Sequence, residues 1–170
     1  MVDLKSQYNF IQDEVQTSIQ EVLETSSFIN GPAVKEFQRD LEHYLGVKHV
    51  IPCANGTDAL QIALMGLKLQ PGDEVITADF TFAATVEVIS LLQLKPILID
   101  VDLLTFNIDP ARIEAAITPK TKAIIPVHLF GQVADIDAIN TIAQKHNLYV
   151  VEDNAQGIGA RYVNNKGEKA

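Results

Sequence analysis

Only one cysteine, Cys53, stands in the 170 residues, so no internal disulfide can form and nothing calls for an oxidising compartment. No apolar run approaches the roughly 18 residues that a membrane span needs. Residues 1–10 are polar and charged, without the apolar core of a secretion signal, so the Asn55-Gly56-Thr57 sequon is read as chance. Positive charge is scarce: 13 Lys and Arg against 22 Asp and Glu give a net charge of -9. A surface of that sign does not neutralise nucleic-acid phosphates or anionic lipid, and leaves room only for a local basic pocket. Repeats and low-complexity linkers are missing too. These absences predict a cytoplasmic protein with no nucleic-acid or membrane partner. What is present, 47% hydrophobic and 21% charged residues, is the balance of a folded domain with a real core.

Two helices open the chain. Ile11, Val15, Ile19, Val22 and Leu23 recur at helical spacing over residues 10–24, and Thr25-Ser26-Ser27 breaks the pattern. A second helix starts at Pro32, carries Val34, Phe37, Leu41, Tyr44 and Leu45 on one face, and stops at Gly46. From residue 47 the pattern alternates. Strands are expected at 47–52, 75–77, 96–101, 123–127 and 148–152, and helices at 58–67, 82–92, from Asp109-Pro110, and at 135–146. The aliphatic run at 96–101 has the composition of a strand covered on both faces. Repeated strand-helix-strand units predict an α/β fold, a mainly parallel sheet sandwiched by helices. The tail, 161–170, is polar, with a turn at Asn164-Asn165-Lys166-Gly167 and nothing that closes a domain.

In such a sheet ligands sit at the carboxyl ends of the strands. Two segments put unusual residues there. In Ala54-Asn55-Gly56-Thr57-Asp58 a glycine permits close backbone approach, and free N–H groups at a helix start favour an anion such as phosphate. Thr57 adds a hydroxyl. The competing reading is a helix cap and tight turn. The second segment, Glu152-Asp153-Asn154-Ala155-Gln156, follows an apolar strand; an acid there is placed to pair with a cationic ring nitrogen, as pyridoxal phosphate (PLP) requires, and Gln156 to meet a ring oxygen. Its competing reading is a solvated acid capping a loop. Other nucleotide motifs fit poorly: there is no Walker sequence, and Gly157-Ile158-Gly159 lacks its third glycine because Tyr162 stands there. His43, His49, His128 and His146 show no metal spacing; only His128, ending a strand, lies near a candidate site. Asp100 and Asp102 also end a strand but read as solvated loop acids.

The chain resembles the DegT/StrS-type sugar aminotransferases, PLP enzymes of fold type I. The resemblance is carried, in order and from end to end, by Asn55-Gly56-Thr57-Asp58-Ala59-Leu60, Pro71-Gly72-Asp73-Glu74-Val75-Ile76, Phe80-Thr81-Phe82-Ala83-Ala84-Thr85, Asn107-Ile108-Asp109-Pro110, the stretch from Ala116 to His128, and Val151-Glu152-Asp153-Asn154-Ala155-Gln156. Within the family the chain looks most like enzymes that aminate C3 of UDP-linked N-acetyl-hexuronic 3-keto-sugars for surface polysaccharides.

The resemblance implies roles by position. Gly56 and Thr57 would hold the PLP phosphate, Phe82 would stack on the pyridine ring, Asp153 would pair with the ring nitrogen and Gln156 with the ring oxygen. The alternative for Phe82 is a core aromatic. Ser26 and Phe28 match the loop that contacts the sugar nucleotide, where relatives often carry glycine and tyrosine. The amino donor would be glutamate and the assembly a homodimer with shared sites. Residues 1–46 would be an N-terminal helical segment and 47–170 part of the large domain. The family's Schiff-base lysine falls past Ala170, since Lys166 and Lys169 lie too close to Asp153. The chain is therefore expected to be part of a longer parent, and inactive alone. Two other functions compete: a PLP-dependent sugar dehydratase, with histidine in place of the lysine, and a non-catalytic regulatory relative.

Overall fold

A computed structural model describes residues 3–163 and residue 167. The turn expected at 164–167 lies outside the described residues except for Gly167. The chain divides into two compact units, residues 1–52 and 53–170.

The first unit is helical. Helix α1, Leu4–Thr25, starts six residues before the expected range of 10–24. Asp3 caps it, accepting both the Ser6 N–H at 3.0 Å and the Ser6 hydroxyl at 2.8 Å. Leu4 and Tyr8 continue the helical spacing of Ile11 and Val15, so the extension was open to the same pattern and was not read. Ser26 ends α1 in the left-handed conformation, φ +50°. Helix α2, Pro32–Leu45, begins on proline and ends on Gly46, φ +66°, as the sequence indicates. The strand expected at 47–52 does not form. Those residues make no ladder; the Val50 N–H goes to the Glu42 carboxylate at 3.1 Å, Ile51 is exposed, and Pro52 has no N–H to give.

The second unit holds a four-stranded sheet in the order β2-β1-β3-β4, every ladder parallel. The strands are β1 Glu74–Ala78, β2 Lys95–Ile99, β3 Thr121–Ile125 and β4 Tyr149–Val150. Between them run α3 Gly56–Gly66, α4 Ala83–Leu91, α5 Pro110–Ala116 and α6 Ile136–His146. Successive side chains of a strand point to opposite faces, and both faces are covered here. On one, Val75, Ala123 and Ile125 pack with Leu60 and Leu64 of α3 and Val88 and Ile89 of α4. On the other, Ile76 and Ile124 pack with Ile113 of α5 and Ile136 and Ile139 of α6. Each such buried aliphatic contributes about 1.5–3 kcal/mol, so the sandwich rests chiefly on these two clusters. The α/β expectation holds.

One expectation about a strand fails. Residues 96–101 are not a strand covered on both faces: β2 is at the edge, Leu98 is 49% exposed, and Pro96 sits where a missing N–H is tolerated. The fully buried strand is β1. Composition alone does not tell an edge aliphatic from a central one, because pairing order is decided by distant segments.

At the start of β1, away from the strand ends discussed below, Glu74 is buried. Its carboxylate accepts the Thr118 hydroxyl and the Lys95 ammonium, the latter at 3.0 Å. Thr118 first, then Lys95, hold this carboxyl below the ordinary glutamate value of 4.5. A depressed folded value means stabilisation that is complete above the ordinary range and is lost as pH falls through the folded value. Glu74→Gln should therefore lower stability at neutral pH, and its deficit should shrink below about pH 4 as the wild type loses the same charge. Urea melts across pH check this; a deficit constant with pH would contradict it.

No helix among the described residues is long and apolar enough to cross a membrane.

Candidate active site

The chain leaves β1 for β2 on one side and later returns to place β3 on the other. The order thus reverses between β1 and β3, and the crevice beyond their carboxyl ends is where an open sheet accepts ligands. Three segments converge there. Phe82 follows β1. Val127, after β3, forms a parallel bridge with Asp153, after β4. The Asp153 N–H donates to Pro126 O at 2.9 Å and its carbonyl accepts the His128 N–H at 3.1 Å, so its backbone is tied on both sides.

These segments and the start of α3 enclose a cavity of about 230 Å³. Gly56, Thr57, Phe82, Asp153 and Gln156 all line it, with Leu60, Ala84, Val127 and Ala155 completing an apolar wall. Hollows of about 560 and 440 Å³ elsewhere carry none of these residues.

Each residue presents a distinct chemical face. Asn55 caps α3, its side chain accepting the Asp58 N–H at 2.9 Å and its carbonyl the Ala59 N–H at 3.0 Å. The Gly56 and Thr57 N–H groups have no partner among the described residues and remain free at the positive end of a helix dipole. A Cβ built on Gly56 meets no atom within 4 Å, and its φ is not left-handed. The packing and backbone of the described residues do not demand glycine there. Asp58, in the same turn, is bonded by the Asn55 amide at 3.1 Å.

Phe82 is the N-cap of α4 and 71% exposed, so the core-aromatic alternative fails and its ring forms one wall. Asp153 is only 7% exposed. Its Oδ2 accepts the Thr85 hydroxyl at 2.8 Å and its Oδ1 the Ala155 N–H at 3.3 Å. It is a buried, pinned carboxylate, not the solvated loop acid of the competing reading. Gln156 uses its carbonyl oxygen to accept the Phe130 N–H at 2.7 Å, holding Phe130 in a left-handed conformation, φ +57°. Its amide NH₂ is the half left to donate.

His128 does not reach the cavity. It is buried, its Nδ1 accepts the Ala134 N–H at 3.1 Å, and Nε2 therefore carries the hydrogen and donates to Glu152 at 2.8 Å. Gly157 is fixed by packing: a Cβ there would stand 3.0 Å from that of His128 and 2.5 Å from Asn154 Oδ1. Asp102 is a loop acid, held below the ordinary carboxylate range by the Thr105 and Leu104 N–H groups. Ser26 and Phe28 lie in the unit of residues 1–52. Phe28 is exposed, and the left-handed φ at Ser26 is one that glycine adopts without strain.

Sequence reasoning missed Thr85. Its place in the first turn of α4 is local, but the acid it meets lies 68 residues on, beyond the reach of any local pattern.

The fold is of the doubly wound α/β class, with a cavity at the carboxyl ends of its strands. Residues 9–169 match the DegT/DnrJ/EryC1/StrS aminotransferase family, and the chain belongs to it. It is 52% identical, over 99% of its length, to the UDP-2-acetamido-2-deoxy-3-oxo-D-glucuronate aminotransferase of Pseudomonas aeruginosa, of which it covers 46%. It is also 52% identical, over 95% of its length, to the pleiotropic regulatory protein of Geobacillus stearothermophilus, of which it covers 44%. The structure of NtdA from Bacillus subtilis with bound cofactor PMP superimposes with a TM-score of 0.87 at 43% identity, covering 89% of this chain and 35% of that one. The chain thus spans about half the length, or less, of these relatives.

Proposed function

We propose that the protein carrying this chain uses PLP to transfer an amino group from glutamate to a keto-sugar carried on a nucleotide. The observation that carries this reading is the meeting, in one cavity, of five residues drawn from three distant segments. They fit the cofactor. The free N–H groups at Gly56 and Thr57 and the Thr57 hydroxyl offer donors to its phosphate, in a cradle that a side chain at position 56 would fill. Phe82 supplies a flat apolar face for its ring. Asp153 offers a carboxylate to the ring nitrogen, and Gln156 donates to the ring oxygen. Bound there, PLP supplies an electron sink for negative charge developing at the amino-bearing carbon. The chain's own part is to orient the group, keep its ring nitrogen protonated through Asp153, and shut out water with Leu60, Ala84 and Val127. Among the described residues no lysine lines the cavity.

The finer reading follows the Pseudomonas relative: the acceptor is a UDP-linked 2-acetamido-3-keto-hexuronate, and the product enters surface polysaccharide such as lipopolysaccharide. We place the reaction in the cytoplasm and in a homodimer. Phe10, Ile29 and Phe37 of the first unit are exposed apolar side chains of the sort an interface covers. A dehydratase of the same fold would carry histidine at the anchoring position, and a regulatory protein, as the Geobacillus relative is named, would turn nothing over.

The test is transfer of label from ¹⁵N-glutamate, by the intact protein with PLP, to such a UDP-keto-sugar. The expected product is an amino-sugar carrying ¹⁵N. Loss of water from the sugar without label transfer would favour the dehydratase, and no turnover with PLP bound the regulatory reading.

A further inference from the structure

We infer that Thr85 is a positioning residue for Asp153, supplied by the same helix start that presents Phe82 to the cavity. This rests on the proposal that the cavity binds PLP, and goes beyond it by naming what holds the acid in place. Thr85 does not line the cavity; it lies behind Asp153, fully buried, in the first turn of α4. Its hydroxyl stands 2.8 Å from Asp153 Oδ2 and 3.1 Å from the Thr81 hydroxyl. A carboxylate only accepts, so the single hydrogen of Thr85 is committed to Asp153. The Thr81–Thr85 bond then has one possible direction, Thr81 donating to Thr85. The result is a two-hydroxyl relay, Thr81 to Thr85 to Asp153, in which each bond polarises the next.

Two donors pin the carboxylate: the relay on Oδ2 and the Ala155 N–H on Oδ1. An ionised carboxylate has about four acceptor sites, so the remaining ones are what the cavity is offered. The Ala155 bond, at 3.3 Å, is the longer of the two. Thr85 is therefore the principal restraint, and without it Oδ2 is a buried oxygen short of a partner that must turn to find one. Because Phe82 and Thr85 share one helix turn, ring face and acid are set by the same rigid element. A 68-residue separation between hydroxyl and carboxylate hides this link from any local motif.

The experiment uses the intact holoenzyme loaded with PLP ¹⁵N-labelled at the ring nitrogen, and reads the ¹⁵N shift together with turnover. Thr85→Val keeps the shape and removes the donor. It should move the ring-nitrogen signal toward the unprotonated value and lower kcat about tenfold to a hundredfold with KM little changed, the range for a lost hydrogen bond to a charged group. Thr85→Ser keeps the donor and should restore both. Asp153→Asn is the control for the underlying reading. If it moves the signal while Thr85→Val leaves both readouts as in the wild type, the inference about Thr85 is overturned and the reading of Asp153 stands. If neither moves the signal with cofactor bound, both fall. Should Thr85→Val not fold, Thr81→Val decides: a shift in the same direction but smaller supports the relay, and an unchanged signal overturns it.

Discussion

Replacing Asp153 by asparagine should cut turnover of the intact enzyme by about 10²–10³-fold while PLP remains bound, the scale on which a preorganised electrostatic contact acts. The substitution keeps volume. The Thr85 hydroxyl and the Ala155 N–H meet different carboxylate oxygens, so the amide keeps the shorter bond by turning its oxygen to Thr85 and gives up the longer one to Ala155. The negative charge is what disappears, and with it the means of keeping a pyridine nitrogen protonated. The donors proposed for the phosphate at Gly56 and Thr57 are untouched, so affinity should fall far less than rate. Turnover and PLP affinity measured side by side check this. Normal turnover in the variant would make Asp153 a structural acid, tied into the bridge with Val127 and nothing more.

How much of this was legible in the sequence depends on the range of the interactions involved. The Asp153 and Gln156 segment was readable because an acid directly after an apolar strand emerges at that strand's carboxyl end. Gly56 and Thr57 were readable because a cap residue and a glycine announce a helix start with free N–H groups. Both are local signals. Phe82 was not readable from pattern, since an aromatic at the head of an apolar helix looks the same whether it faces the core or a cavity; resemblance supplied it. Neither route gave Thr85, whose partner is 68 residues away. The same limit explains the fold errors. Residues 47–52, with Val47, Val50 and Ile51, read as a strand, but a strand needs a neighbour, and a run of aliphatics at 96–101 says nothing about whether it will be a central strand or an edge. The early start of α1 was legible and was not read: the Asp3 cap is local, and Leu4 and Tyr8 continue the spacing of Ile11 and Val15.

The end of the cavity at Gly56 and Thr57 carries the central claim, and Gly56→Val should weaken PLP binding more than any loss of a single hydrogen bond there. Thr57→Val removes one hydroxyl donor, worth about 1.5–3 kcal/mol toward a charged group, or one to two decades in affinity. Gly56→Val does more. It places a branched side chain where the structure shows only open space, so the obstruction falls on a ligand and not on the protein. Its φ is not left-handed, so no backbone strain accompanies the change. The variant should therefore fold with a Tm close to the wild type, which separates a blocked site from a damaged one. The decisive measurement is a PLP titration of the intact protein and its Gly56→Val variant, followed by cofactor absorbance. Our account predicts saturable binding by the wild type and a loss of more than about a hundredfold in affinity for a variant that melts normally. Equal affinities in two equally stable proteins would make Gly56 part of a helix cap, and would remove the cavity from the function proposed for it.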